Sequence, residues 1–154
     1  MIYHNDYIKL TREYLRNLGY YRVAVVNMTE DLRDMERSLG DAKIASYEMN
    51  PGGGNELNGV EAKAEKALRY KEQARHLHKL QRQVSKLERC IEKLPKEEKE
   101  AINMFYIHKM SYEDMMDSLH ISRSTCKRRI NNATRAVAIM LFGDRADKQI
   151  QFAS

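Results

Sequence analysis

The sequence predicts an all-α protein, in which a helical, coiled-coil-like N-terminal region precedes a C-terminal helix-turn-helix. Three observations carry that prediction. Charged residues make up 32% of the 154-residue chain and hydrophobic ones 42%, with only seven Gly and two Pro; this composition favours long amphipathic helices over sheets. Apolar residues recur at alternating three- and four-residue spacings through most of the chain, as on a helix face. Finally, LPKEEKEAINMFYIHKMSYEDMMDSLHISRSTCKRRINNATRAVAIML, from Leu94 to Leu141, reads as a helix, a short helix, a tight turn and a third helix basic on one side. Such a unit places one helix in a DNA groove.

The first helix is capped by Asn5 or Asp6 and runs to about Leu18, with Tyr7, Leu10, Tyr14 and Leu18 on one face. Gly19 is expected to break or bend it. A second helix carries Val25, Met28, Leu32, Met35 and Leu39, a coiled-coil-type seam that needs a partner, and Gly40 sits where a helix would stop. Residues 47–59, YEMNPGGGNELNG, form a linker, with Pro51 stopping any helix and Gly52, Gly53 and Gly54 supplying a hinge. The Gly-Lys-Ser/Thr of a phosphate-cradling loop is absent from it.

From Val60 to about Lys93 the chain has no Gly or Pro and is rich in strong helix formers. Ala67, Tyr70, Ala74 and Leu77 make one seam, and Leu80, Val84, Leu87, Ile91 and Leu94 another, offset by a stammer. Its partner is either the second helix folded back across the linker or the same helix of a second copy. The resulting organisation is an N-terminal helical region at 1–46, a linker at 47–59, a long pairing or dimerisation helix at 60–93, a helix-turn-helix at 94–142 and a tail at 143–154.

A net charge of +5 and a pI of about 9.2 suit a polyanionic partner. Cys90 and Cys126 lie far apart, which fits a reducing compartment and no disulfide framework. The N-terminal MIYHNDYIKL lacks the apolar run of a signal peptide, and no stretch approaches the roughly 18 apolar residues of a membrane span. The expectation is a soluble intracellular protein that does not meet a membrane. His76 and His78 point about 200° apart on a helix and cannot share one ion, so no metal is expected. No carboxylate pair, Ser/His/Asp set or Cys/His set has a spacing that suggests catalysis. The chain is therefore expected to be non-enzymatic, with no catalytic residue and no cofactor.

In the helix-turn-helix, Pro95 suits the first position of a helix whose positive end is matched by Glu97 and Glu98. Ala101, Ile102, Phe105 and Tyr106 form its apolar face. Ser111 caps a short helix, Tyr112 to Leu119, with Glu113 and Asp114 in its first turn and Met115, Met116 and Leu119 facing inward. The turn is Leu119-His120-Ile121-Ser122, where Ile121 plugs the two helices and Ser122 caps the third. On that helix Cys126, Ile130, Ala133 and Val137 fall within about 60° of one another.

Ser124, Arg128, Asn131 and Arg135 lie opposite, flanked by Lys127 and Asn132. From His120 to Phe142 there are five basic residues (Arg123, Lys127, Arg128, Arg129, Arg135) and no acidic one. A major groove admits one helix, whose first two turns reach base edges. Arg123 and Arg128 can each donate two hydrogen bonds to guanine, Asn131 can pair with adenine, and Ser124 can meet either. Ser122, Thr125 and Arg129 are better placed for phosphates, which fix register without reading sequence.

The stretch SYEDMMDSLHISRSTCKRRINNA resembles region 4 of sigma-70-type factors, whose pattern sxEEIAxxLgISrsTVkrRlxrA builds a promoter-reading helix-turn-helix. The wider layout is similar to that of the phage ArpU/RinA-type transcriptional regulators: N-terminal helices, a GGG linker followed by Val60-Glu61, a long helix and a sigma-like reader. The match in detail covers about Lys93 to Leu141. The resemblance implies a sequence-specific regulator in the bacterial host cytoplasm that binds double-stranded promoter DNA and activates late phage operons. It also implies N-terminal helices that pair subunits as a homodimer or contact RNA polymerase. Two positions depart from the pattern: Met116 replaces a small Ala, and His120 stands where Gly usually takes the left-handed conformation. Two alternatives stay open, a phage small terminase subunit for DNA packaging and a helical protein–protein adaptor that never touches DNA.

Overall fold

The structure, a computed structural model, describes residues 4–48 and 56–146, with side chains described for 6–41 and 59–146. The Pro51–Gly54 hinge and the tail from residue 147 onward lie outside the described residues. Every regular element among the described residues is helical, so the fold is all-α. The helices are α1 (His4–Glu48), α2 (Glu56–Glu92), α3 (Lys96–Ile102), α4 (Tyr112–Leu119) and α5 (Arg123–Phe142). A π-helical turn, Asn103–Ile107, extends α3, and a 3-10 turn, Gly143–Ala146, follows α5.

The two helices expected on either side of Gly19 are one. α1 runs through Gly19 and also through Gly40, which was expected to end it. Glycine in a helix interior costs only about 1 kcal/mol, which the burial of Thr11, Leu15, Leu18 and Leu32 along α1 outweighs. Neither glycine takes the positive φ that marks a helix stop. Thr11 and Thr29 stay within the helix by donating their hydroxyls to the carbonyls of Tyr7 (2.8 Å) and Val25 (2.7 Å). Likewise α2 begins at Glu56 rather than Val60, so the last residues of the expected linker are helical. The other end of α2 closes with Leu94 N–H on the Ile91 carbonyl at 3.1 Å, just before Pro95, which has no N–H to give.

The chain folds as two compact units. One combines the described residues up to Tyr21 with those from Gln83 onward, and the other is Arg22–Arg82. In the first, Leu15, Leu18, Ala101, Ile102, Met115, Cys126, Ala133, Val137 and Ala138 are fully enclosed. The start of α1 is tied to the end of α5 by aromatic packing, with Phe142 lying 5.0 Å from the Tyr7 ring and 6.5 Å from the Tyr14 ring. The end of α2 is tied to the same place by Lys86 Nζ, which donates to the Leu141 carbonyl at 3.4 Å. In the second unit Leu32 of α1 and Leu77 of α2 are buried. Met35, Ser38 and Leu39 of α1 line one shallow cleft with Lys66 and Arg69 of α2, so the two helices run side by side there.

Candidate nucleic-acid interface

The exposed helix α5 is held in place by the elements before it. Beyond α3 the backbone widens into the π-turn, with His108 N–H on the Asn103 carbonyl at 2.8 Å. Lys109 then takes a left-handed conformation (φ 56°), which ends the helix. Its ammonium reaches back to α1, donating to the Arg16 carbonyl at 2.5 Å and lying 6.0 Å from the Tyr20 ring centroid. Phe105 links the π-turn to α4, its ring centroid 5.2 Å from that of Tyr112.

The caps stand where the residue types called for them. Ser111 Oγ accepts from Asp114 N–H at 3.1 Å at the start of α4. Ser122 Oγ accepts from Thr125 N–H at 3.2 Å at the start of α5. Pro95 sits just before α3 rather than in its first turn, with Lys96 as the first helical residue. Between α4 and α5, His120 adopts the left-handed geometry (φ 53°, ψ 45°) in which the sequence pattern usually has Gly. Met115 takes the fully enclosed position of α4, while Met116, Leu119 and Ile121 are half-buried.

On α5 the expected apolar row of Cys126, Ile130, Ala133 and Val137 is buried. Thr134 and Ala138 are buried as well, and the Thr134 hydroxyl donates to the Ile130 carbonyl at 2.7 Å. The enclosed arc thus widens toward the C-terminal half, where Phe142 meets α1. The first turns keep the wider exposed arc. There Ser122, Arg123, Ser124, Lys127 and Arg128 are exposed, as are Asn131, Asn132 and Arg135 in the next two turns, whereas Thr125 and Arg129 are half-buried. Among the described residues, the side chains of Arg128 and Asn131 have no hydrogen-bond or ion-pair partner.

Arg129 is engaged within the protein. Its guanidinium lies 3.0 Å from the Glu97 carboxylate and its side chain is only 19% exposed, joining the first turn of α3 to α5. Arg123 pairs with Glu113 of α4 at 3.1 Å, and its guanidinium carbon lies 5.3 Å from the Tyr112 ring centroid. Lys127 Nζ lies 5.8 Å from the same ring. Tyr112 and Glu113 were not among the residues the sequence nominated for the interface. The sequence offers no cue beyond an aromatic and an acidic residue in the first turn of a helix; the fold alone brings them to Arg123.

Elsewhere, burial pushes the Cys90 thiol above its ordinary pKa, against the opposing pull of Lys86 and Arg89. Among the described residues no group of three or more His, Cys, Asp or Glu is arranged to hold a metal ion. No described helix is long and apolar enough to cross a membrane.

Residues 85–137 match the family model described as Sigma-70, region 4, which covers about a third of the chain. The match opens in the last turns of α2 and ends at Val137 of α5, so it takes in α3, the π-turn, α4, the left-handed turn and the exposed first turns of α5. No curated protein and no solved structure gives a match. The chain carries a sigma-70 region 4-like helix-turn-helix domain, and domains of that kind bind DNA.

Proposed function

We propose, with the region 4-like domain as premise, that the chain is a sequence-specific transcription regulator that reads promoter DNA through the first turns of α5. The observation that carries this reading is the exposed row of Ser124, Arg128, Asn131 and Arg135, presented by a helix whose opposite side is buried. An arginine and an asparagine without a partner among the described residues can each make the paired contacts that distinguish guanine and adenine in the major groove. Ser122, Thr125, Lys127 and Asn132 surround that row and suit the flanking phosphates. The finer assignment, a regulator of the phage ArpU/RinA type that activates late operons in the host cytoplasm, rests on the layout of the sequence. In this reading the protein is not an enzyme, and its N-terminal helices pair subunits or meet RNA polymerase.

The test is capture of sheared phage and host DNA by the purified protein at near-physiological salt, followed by sequencing. A sharp peak upstream of an operon is expected and supplies the operator. Even coverage would reduce α5 to a backbone-binding helix and sink the base-reading role. A peak at a packaging site would turn the assignment toward a small terminase subunit.

A further inference from the structure

Arg123 stands at the N-terminal end of α5 with its charge already answered. Its guanidinium donates to Glu113 Oε1 at 3.1 Å and rests over the Tyr112 ring, yet the side chain is 54% exposed. Only one of its five N–H groups is used by Glu113, so a two-bond contact to a base edge is still open to it. The platform beneath it is fixed from behind by Phe105, and the start of α4 is fixed by the Ser111 cap. An exposed ion pair adds little to folding, typically about 0–1 kcal/mol. Its influence is greater on what Arg123 can bind.

Building on the DNA-binding reading above, we propose that Glu113 and Tyr112 are specificity-determining positioning residues. They hold the Arg123 guanidinium in a fixed orientation and partly neutralise it, so that it favours a guanine edge over a bare phosphate. The physical asymmetry is as follows. Attraction to phosphates anywhere on DNA depends on net charge and on counterion release, which a neighbouring carboxylate cancels. A paired contact to guanine depends on directed short hydrogen bonds, which an oriented, half-committed guanidinium keeps. Discrimination then comes from weakening the wrong complex more than the right one.

The test uses the full chain and three variants: Glu113→Gln, which removes the charge at constant shape, Tyr112→Leu, and Tyr112→Phe. Binding is measured across a salt series to a random-sequence duplex of about 30 bp and to the best duplex that the wild-type chain selects from a randomised pool. Thermal melts check that each variant is folded. Glu113→Gln is expected to tighten the random duplex about three- to tenfold at low salt and to steepen its log–log salt slope by up to about 0.9. The ratio of selected to random affinity falls accordingly. Tyr112→Leu is expected to lower that ratio by weakening the selected duplex, and Tyr112→Phe to preserve it. A Glu113→Gln variant with an unchanged or higher ratio overturns the inference while leaving the DNA reading intact, and a wild-type ratio in Tyr112→Leu removes the aromatic from it. A wild-type chain that binds no duplex, or selects no sequence, overturns the promoter reading and this inference together.

Discussion

Arg128 and Arg129 are neighbours in the chain and have different surroundings. Arg128 is exposed and without a partner among the described residues, whereas Arg129 is held by Glu97. Replacing Arg128 by Ala should cost about 1–3 kcal/mol at one base position and relax preference there, read by selection from randomised duplexes. A uniform loss on all sequences would instead make Arg128 a phosphate contact. Arg129→Ala should lower stability by about 1 kcal/mol, since the Glu97 partner is exposed and screened. Its base preferences should stay those of the wild type, and a thermal melt beside the same selection checks both. Helix position alone assigned Arg128 to a base edge and Arg129 to a phosphate, but it could not reveal that Arg129 is tied to Glu97. Periodicity locates a side chain on its own helix, whereas the partner of Arg129 comes from another.

At the scale of elements, the caps and the turn were legible, because Ser111, Ser122 and His120 act through backbone groups only a few residues away. The glycines were not. A glycine that ends a helix and one that lies inside it look alike in a sequence, and the difference is a φ angle. Within α1, a methyl group added at Gly19 or Gly40 would meet nothing within 4 Å. Gly19→Ala and Gly40→Ala should therefore each raise stability by about 0.5–1 kcal/mol, through helix propensity and a less entropic unfolded chain. Denaturant titration measures this, and a loss of stability in either variant would mean that a bend is needed there. The same comparison explains the late start expected for α2, where Gly59 concealed a helix already under way.

At the scale of the molecule, the helix-turn-helix was read from the interval 94–142, and the structure packs more than that interval into one unit. Leu15 and Leu18 of α1 are fully enclosed in it, and Val84, Leu87 and Ile91 of α2 are buried there too. Local spacing had marked Leu18, Val84, Leu87 and Ile91 as apolar seam positions, but no local pattern says which distant element a seam will meet. Leu15 was on no predicted seam. Leu15→Ala should cost about 2–5 kcal/mol, a large part of the roughly 5–15 kcal/mol that holds a domain folded. The expected outcome is a lower melting temperature with DNA binding lost in the same transition, although the substitution is in the first helix and the proposed reader is the last. DNA binding that survives after α1 has melted would show a reader that folds alone.

The π-turn at Asn103–Ile107 has a consequence for how genes of this kind can change length. This π-turn holds one residue more than an α-helical turn and closes α3, whose preceding face keeps its register. A single codon lost at Met104 would let the turn rewind to ordinary α-helix, with Ala101 and Ile102 facing as they do now. A codon lost inside α5 has no such refuge. It would turn every later side chain by about 100° and carry the buried row out of the core to the flank of the exposed basic face.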